Sequence, residues 1–306
     1  MTLSRSAYAF TPGEAPEVAE VDPGEVEAAL DLLTTRPLVV LTGAGLSTDS
    51  GIPDYRGPGA PVRAPMTYQE FIATPEAQRR YWARSHVGWS RMGDAEPNEG
   101  HRALARLEAA GRISFLITQN VDGLHERAGH QRMVALHGRI SEVVCLDCGG
   151  CTHRLAMQRQ LSEANPGWLE QHALAGDRPD GDVELDETRT FVVPACAGCG
   201  GRLKPHVVFF GENVPKPRVE RCYAELDAAD ALLVTGSSLT VMSGLRFVRY
   251  AAKAGLPVVI VNRGVTRGDP LATLKIEAGC SDFLSRLSQG DEDVLGGLEH
   301  DLGRLA

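Results

Sequence analysis

The sequence lacks features that would connect the protein with a membrane, with nucleic acid or with an oxidising compartment. No apolar run approaches the ~18 residues of a membrane-spanning helix, and Met1–Pro23 lacks the apolar core of a signal peptide. A net charge of −9 argues against nucleic acid as the main partner, because phosphate binding requires a basic surface. Seven cysteines are an odd number, which disfavours a disulfide framework. We therefore expect a cytoplasmic globular protein.

The sequence does contain a series of short apolar runs of the kind that form buried strands. They lie within Leu38–Leu41, Ile113–Ile117, Asp230–Gly236 and Pro257–Val261. A helical pattern over Gly244–Ala254 separates the last two runs, as in the crossover between parallel strands. With 306 residues, 43% of them hydrophobic, the chain can form one large domain or two small ones. The pattern predicts an α/β fold.

The first run leads into Pro37–Arg56, which reads PLVVLTGAGLSTDSGIPDYR. Gly43 and Gly45 allow the backbone to turn sharply after the strand and to approach a ligand closely. We expect Ser47 and Thr48 to cap a helix whose N-terminus would face an anion. The third glycine of the full dinucleotide-binding fingerprint is missing. On this fragment alone, a phosphate site and a tight structural turn are both open interpretations.

Small or polar residues also follow the other three apolar runs. They are Thr118–His125 after the second run, Gly236-Ser237-Ser238 after the third and Asn262-Arg263-Gly264 after the fourth. Open α/β sheets bind ligands at the carboxyl ends of their strands, and packing alone does not explain four such ends. For any single strand end, the alternative explanation is that its polar residues are simply exposed to solvent. His137 follows an apolar residue and precedes a glycine, a setting in which histidine is more often structural than catalytic.

Two C-x-x-C knuckles, Cys145–Cys148 and Cys196–Cys199, supply four thiolates, the ligand set of a tetrahedral zinc. Four protein ligands complete the coordination of the metal, so we expect a structural zinc and not a catalytic one. Free thiols, a redox pair and an iron–sulfur cluster are the alternatives. Cys151 extends the first knuckle into a ferredoxin-like run, but the closely following fourth cysteine and the proline of that motif are missing.

Two further segments are candidates for substrate binding. Thr67–Gly93 has a helical, aromatic pattern that predicts a packed helical insertion. Within it, Tyr81 and Arg84 lie three residues apart on one helix face and could together hold a carboxylate. Leu203–Glu212 is an extended apolar segment with a polar end. It predicts either a core strand or a strand that pairs with a bound peptide.

In series, these motifs resemble the sirtuins, a family of NAD-dependent protein-lysine deacylases. The segments that carry the resemblance are Gly43-Ala44-Gly45-Leu46-Ser47, Gly51-Ile52-Pro53-Asp54-Tyr55-Arg56, Thr118-Gln119-Asn120-Val121-Asp122, Leu136-His137-Gly138, the two knuckles, Phe209-Phe210-Gly211-Glu212, Gly236-Ser237-Ser238 and Asn262-Arg263. Tyr81-Trp82-Ala83-Arg84, the long gap between the knuckles and the segment 178–182 resemble the class II branch. Tyr55 stands where many sirtuins have phenylalanine, and its ring should keep the aromatic role.

The resemblance implies a Rossmann-like parallel-sheet domain with a smaller zinc-ribbon plus helical insertion domain. The implied boundaries are a flexible N-terminal segment over 1–24, a Rossmann-like NAD-binding domain over 25–57, 98–140 and 204–290, a cofactor loop and helical insertion over 58–97, a zinc-binding module over 141–203 and a C-terminal tail over 291–306.

The resemblance also implies a reaction in which acyl-lysine proteins and NAD yield free lysine, nicotinamide and O-acyl-ADP-ribose. His137 would act as general base for a ribose hydroxyl, a task that suits a pKa near neutrality, with Asn120 and Asp122 as further catalytic candidates. The implied NAD-binding residues are Gly43, Ala44, Gly45, Ser47, Asp54, Tyr55, Arg56, Gln119, Asn120, Asp122, Gly236, Ser237, Ser238, Asn262, Arg263, Gly264 and Cys280. The implied acyl-peptide contacts are Tyr81, Arg84, Val207, Val208, Phe209, Phe210 and Gly211. One structural zinc would be held by Cys145, Cys148, Cys196 and Cys199.

Two alternative functions would use the same NAD site. One is an NAD-dependent mono-ADP-ribosyltransferase, and the other is a non-enzymatic sensor of NAD or ADP-ribose. A conventional NAD dehydrogenase is disfavoured, because the third glycine is missing and no acidic residue follows the turn at a suitable distance.

Overall fold

The computed structural model describes residues 22–34, 37–55, 65–172 and 187–289. Among the sequence predictions, Arg56, the segment 178–182, residues 58–64, the tail 291–306 and most of the N-terminal segment 1–24 lie outside the described residues. Within them, no helix has both the length and the apolar composition needed to cross a membrane.

The strands and helices alternate along much of the chain. The strands are β1 (Leu38–Thr42), β2 (Ile113–Thr118), β3 (Met133–Ala135), β4 (Gly138–Cys145), β5 (Cys151–His153), β6 (Leu203–Val207), β7 (Ala231–Thr235), β8 (Val258–Val261) and β9 (Leu274–Ile276). The helices are α1 (Pro23–Thr34), α2 (Tyr68–Ala73), α3 (Pro75–Asp94), α4 (Glu99–Ala109), α5 (Leu124–Arg127), α6 (Arg154–Ala164), α7 (Trp168–Gln171), α8 (Lys216–Asp227) and α9 (Met242–Lys253). Residues 280–289 are also helical.

The larger sheet has six parallel strands in the order β3-β2-β1-β7-β8-β9. All five residues of the central strand β1 are buried. Val40 packs into a core with Leu33 of α1 and Leu104 of α4, whereas Val39 packs into a second core with Phe247 of α9. A strand covered on both faces has no solvent side, so its sequence is a continuous apolar run. The predicted α/β fold is confirmed.

A three-stranded antiparallel sheet, in the order β5-β4-β6, carries the two cysteine knuckles. The helices α2, α3, α6 and α7 contribute to the same core, which includes Phe71, Trp82 and Leu161. We call this sheet with its four helices the small lobe. The predicted domain boundaries at 140 and 203 fall inside β4 and β6. Both strands pair with each other in the small sheet, so these boundaries divide strands of one sheet between two domains.

The helical pattern over Thr67–Gly93 forms two helices in the structure. Thr67 caps α2 through a reciprocal pair of hydrogen bonds with Glu70, which is the capping-box arrangement. Thr74 ends α2 and caps α3, whose first residue is Pro75. Proline lacks the backbone N–H that would continue a helix but suits the first helical position, so the break occurs here.

Candidate functional site

A cavity of about 1030 Å³ lies at the carboxyl ends of β1, β2, β7 and β8, and the small lobe supplies its opposite wall. Every predicted NAD-binding residue that the structure describes lines this cavity, as does His137. Arg56 lies outside the described residues. Because parallel strands bring their carboxyl ends to one edge of the sheet, polar residues that are far apart in sequence meet at a single site.

The glycine turn after β1 packs directly against the turn after β7. The Gly45 amide donates to the Gly236 carbonyl oxygen at 2.8 Å. A Cβ atom at Gly43 would lie 2.7 Å from that oxygen, and one at Gly236, where φ is +65°, would lie 2.3 Å from the Leu46 nitrogen. The two turns therefore approach more closely than any residue with a side chain allows. They leave backbone, and little side-chain bulk, at this part of the cavity wall.

The prediction that a capped helix follows the glycine turn was wrong. Two short 3-10 turns, Ala44–Leu46 and Thr48–Ser50, follow β1, and neither has a side-chain cap. The Ser47 hydroxyl instead donates to the Asp122 carboxylate at 2.8 Å. The competing side-chain partner, brought in by the loop after β2, explains why a cap-like residue does not begin a helix here.

Asn120 and Asp122 form a buried polar network with the glycine turn. The side-chain amide of Asn120 donates both of its hydrogens, one to the Gly43 carbonyl at 3.1 Å and one to the Ser47 hydroxyl at 3.0 Å. The Asp122 carboxylate accepts from the Leu124 amide at 2.9 Å as well as from Ser47. Burial raises the pKa of Asp122, although these hydrogen bonds act against the shift. The network does not use the side-chain oxygen of Asn120, Oδ1, which can therefore accept a hydrogen bond from a ligand.

The hydrogen bonds of His137 define its tautomer. Its Nδ1 lies 2.8 Å from the Gln119 carbonyl oxygen, which can only accept, so Nδ1 must carry the proton. Its Nε2 lies 2.8 Å from the Ser243 hydroxyl and therefore accepts in the neutral ring. Burial lowers the pKa of His137, which keeps the ring neutral. The lone pair of Nε2 is thus available as a base within the cavity.

The far end of the cavity is formed by the loops after β8 and β9. The Asn262 amide donates to the carbonyls of Arg263 at 2.7 Å and Gly264 at 3.2 Å, so it shapes the turn. Glu277 accepts from the Gly264 amide at 2.7 Å and holds the same turn from outside. Burial raises the pKa of Cys280, so this residue presents a neutral thiol to the cavity.

The predicted acyl-peptide segment forms an apolar wall. Val207–Gly211 lines the cavity, and the Val208 amide donates to the His137 carbonyl oxygen at 2.7 Å, which holds the segment beside the candidate base. Phe209 packs within 5.2 Å of the Tyr81 ring, measured between centroids. Among the described residues that line the cavity, Tyr81 is present but Arg84 is not. The structure therefore brings only one member of the Tyr-x-x-Arg pair to the site.

Some lining residues were missed by the sequence analysis. They include Asn213, Ser243, Arg246 and Asp282. Ser243 and Arg246 lie in the first turns of α9, immediately after the polar loop that follows β7. The signal that could have identified them is their nearness to Ser238, which Ser243 follows by five residues. Asn213 similarly follows the end of a predicted segment, and Asp282 lies two residues after Cys280.

The four knuckle cysteines converge at one end of the small sheet. Their sulfur atoms all lie within 4.8 Å of one another, with Cys145 and Cys199 at 3.5 Å and Cys148 and Cys196 at 3.9 Å. Four zinc–sulfur bonds of ~2.3 Å in a tetrahedron place sulfurs about 3.8 Å apart. The donor set and its spacing fit a structural zinc, as the sequence predicts, and leave no ligand position for a substrate.

Comparison with known proteins shows similarity over most of the chain. The model of the "Sir2 family" matches residues 43–243. A Mycobacterium avium protein named NAD-dependent protein deacetylase 1 is 52% identical over 260 residues, which are 84% of this chain and 92% of the relative. A Streptomyces coelicolor protein of the same name is 53% identical over 278 residues, 89% of this chain and 91% of the relative.

Solved structures are similar as well. A complex described as "Sir2-p53 peptide-NAD+" superposes with a TM-score of 0.71 at 32% identity, covering 87% of this chain and 98% of the other. A structure of Sir2Tm bound to a propionylated peptide superposes with a TM-score of 0.68 at 31% identity, with the same coverage of the two chains.

Proposed function

The chain belongs to the Sir2 family, and we propose that it removes acyl groups from lysine side chains of proteins. The reaction consumes NAD and releases nicotinamide and O-acyl-ADP-ribose. Relatives named NAD-dependent protein deacetylase support this assignment, as do a family structure with a p53 peptide and NAD and another with a propionylated peptide. The partners are proteins or peptides that carry acyl-lysine.

One observation carries the proposal most directly. A neutral imidazole with its basic nitrogen towards the cavity stands beside two glycine turns that carry little side-chain bulk, so a phosphate can approach their backbone closely. Such turns suit a dinucleotide, and the base suits a reaction in which a hydroxyl must lose its proton. The neighbouring apolar segment Val207–Gly211 suits an extended peptide.

When bound, NAD would supply a ribose carbon that accepts the acyl oxygen and a nicotinamide that departs. His137 Nε2 would take the proton from a ribose hydroxyl, after that hydroxyl replaces Ser243 as its hydrogen-bond donor. The Gln119 carbonyl keeps the Nδ1 proton in place and stabilises the imidazolium that forms. The lowered pKa of His137 keeps the base form populated before the reaction.

Asn120 and Asp122 support the same chemistry by holding the site in shape. Asn120 ties the glycine turn to the end of β2 through Gly43 and Ser47, and it keeps its carbonyl oxygen for the ligand. Asp122 anchors Ser47 from the opposite side. We assign these two residues to orientation of the nicotinamide end of the dinucleotide.

The structural zinc would act at a distance from the reaction. The four thiolates join the ends of β4 and β5 to the segment before β6. That junction positions β6, whose last residue, Val207, begins the apolar wall of the cavity. The metal therefore supports the peptide-binding side without touching substrate.

The direct test is incubation of the protein with NAD and a panel of acyl-lysine peptides, with mass spectrometry of all products. We expect nicotinamide, O-acyl-ADP-ribose and deacylated peptide in equal amounts. A gain of ADP-ribose on a protein would instead identify a mono-ADP-ribosyltransferase, and binding of NAD without nicotinamide release would identify a sensor.

We further propose a cytoplasmic location and a two-lobed organisation. All seven cysteines lie in the described part of the chain and are free of disulfides, as is usual in a reducing compartment. The proposed NAD-binding domain is the parallel sheet with its helices. The proposed second domain is the small lobe, including the whole of β4 and β6.

A further inference from the structure

Cys151 is the one cysteine of the small sheet that the zinc knuckles do not use. It begins β5, is exposed, and faces Glu142 of β4 and His206 of β6. One ligand atom from each of these three side chains lies within 4.8 Å of the other two. The Glu142 carboxylate and His206 Nδ1 are 2.7 Å apart. We call Glu142, Cys151 and His206 the three-strand cluster.

The pairing of the strands brings the cluster together. Cys151 pairs with Val144 across β4 and β5, two residues along the strand from Glu142. The pairing of β4 with β6 is irregular between Gly138 and Val143, the stretch that contains Glu142. Such irregularities in a sheet commonly turn a side chain towards a functional site. Val143 remains in the core of the small lobe while the cluster occupies the outer side of the sheet.

The three-strand cluster contains one more potential metal ligand than an ion pair does. A contact between glutamate and histidine accounts for two of its members but gives no role to the thiol. A carboxylate, an imidazole and a thiolate are together a ligand set for a borderline divalent ion such as Zn²⁺. Tetrahedral bonds of ~2.0–2.3 Å require neighbouring ligand atoms roughly 3.3–3.8 Å apart. Cys151 is exposed and the His206 and Glu142 side chains are 39% and 33% exposed, so the three side chains have room to rotate towards that spacing.

We propose that the three-strand cluster binds a second divalent metal ion, with Zn²⁺ as the preferred ion and water in the fourth position. The site is distinct from the structural zinc, because none of its three ligands is one of the four knuckle cysteines. With three protein ligands it binds more weakly and exchanges faster than the tetrathiolate. Occupancy joins β4, β5 and β6, and it restrains the residue directly before Val207 of the cavity wall.

The proposal is tested on the full chain with its structural zinc in place. The protein is equilibrated with buffered micromolar Zn²⁺, and bound zinc is measured by mass spectrometry of the metal after rapid desalting. We expect two zinc ions per chain in the native protein and one in Cys151→Ser and His206→Gln. Glu163→Gln serves as the matched control, because it removes an exposed carboxylate from α6 of the same lobe. It should retain two ions.

A kinetic readout separates the two sites. On addition of a chelator, we expect one ion to leave the native protein at least tenfold faster than the other, and this fast phase to be missing in Cys151→Ser. Co²⁺ added to protein that has lost only its fast-exchanging zinc should produce a thiolate charge-transfer band that Cys151→Ser lacks. A single zinc per chain at all concentrations, or two in the Cys151→Ser variant, would overturn the proposal. Retention of the slow zinc in each variant shows that the lobe is folded.

Discussion

The larger sheet and the small lobe bury polar groups by different means. At the strand ends of the larger sheet, neutral side chains pair with one another: Thr42 Oγ1 lies 2.9 Å from both Thr118 Oγ1 and His125 Nε2. In the small lobe, four thiolates are gathered for a metal, and the buried Arg154 guanidinium lies 4.8 Å from the Trp89 ring centroid. Burial lowers the pKa of Arg154 to about 10.

The difference follows from the size of the two cores. Six parallel strands covered by helices on both faces provide enough apolar surface to hold a polar edge in place. The three antiparallel strands of the small lobe pack against one core and not two, and small units of this kind commonly depend on a metal. We therefore expect the site residues of the larger sheet to tolerate substitution without unfolding, and the small lobe to depend on zinc.

Removal of one zinc ligand is the strongest test of this contrast. In Cys148→Ala, we expect loss of the structural zinc and local unfolding of the small lobe, because the metal supplies folding free energy. Activity on acyl-peptide should fall by roughly 100-fold or more, since β6 loses its anchor. Hydrogen exchange should show loss of protection in β4–β6 while β1, β2 and β7 remain protected.

The matched control is Cys222→Ala, which removes a buried thiol from α8, a helix that packs against the larger sheet. This variant should keep its zinc and its exchange pattern. Uniform loss of protection across both regions in Cys148→Ala would contradict the contrast, because it would mean that the two cores unfold as one.

Loss of the candidate base should affect chemistry without affecting the fold. In His137→Ala, kcat/KM should drop by about 10²- to 10⁴-fold, the usual contribution of a general base. The zinc content and the unfolding midpoint should change little. Ser243→Ala removes only the hydroxyl that donates to Nε2 and should cost about tenfold or less, within the range of one lost hydrogen bond. Equal turnover by His137→Ala and the native protein would exclude His137 from this role.

A buried histidine cluster makes the stability of the larger sheet sensitive to acid. His101, His125 and His130 pack with ring centroids 4.8 and 5.3 Å apart. Burial lowers the pKa of each, to about 4 for His101. Their folded-state pKa values lie below those of the unfolded chain, so the unfolded state binds more protons in mild acid. Stability is therefore present above the ordinary histidine pKa of about 6.5 and is lost as pH falls towards the folded values.

The measurement is urea unfolding between pH 7 and pH 4.5. We expect a decrease of up to about 1.4 kcal/mol per pH unit for each histidine that remains neutral when folded. Glu108 lies 3.1 Å from His130 Nδ1 and reduces the contribution of that residue. The raised pKa of Asp122 acts in the opposite direction, whereas burial also lowers the pKa of His86 and His137 and adds to the effect of the cluster. A constant free energy of unfolding over this range would refute the assignment.

The pH dependence of activity gives a narrower test at the same edge of the sheet. The reaction needs the neutral form of His137, whose pKa burial holds below the ordinary value. The acidic limb of the kcat/KM profile should therefore have its midpoint below pH 6.5, the reference value of a free histidine. Initial rates must be taken before acid unfolding begins. A midpoint above that value would show that another group controls the reaction.

The smallest effects are expected in acyl-group preference. Because Tyr81 lines the cavity and Arg84 does not appear among the described lining residues, Tyr81→Phe should change the ratio of kcat/KM between acetyl and longer or acidic acyl groups more than Arg84→Ala does. Changes of roughly two- to tenfold correspond to one weak polar contact. If Arg84→Ala lowers kcat/KM on succinyl- or glutaryl-lysine more than Tyr81→Phe does, this prediction is contradicted and Tyr81 and Arg84 act together on acidic acyl groups.

The sequence was most informative where a local pattern has a single structural solution. The apolar runs that became β1, β2, β7 and β8 were identified because strands buried on both faces contain little else. The edge strands β3 and β9 were missed, since three residues are too few to show a pattern. The capped helix after Gly45 was predicted from local preference, and a tertiary contact between Ser47 and Asp122 replaced it.

The sequence by itself determined the strand-forming runs, the glycine turns and the two cysteine knuckles, because each depends on residues that are neighbours in the chain. Tertiary structure decided which side chains meet across long separations. The partner of His137 Nε2 is Ser243, 106 residues away, and the cluster of Glu142, Cys151 and His206 depends on the register of three strands. No local propensity encodes such contacts. They arise when strands that are far apart in the sequence pair in a defined register and align their ends.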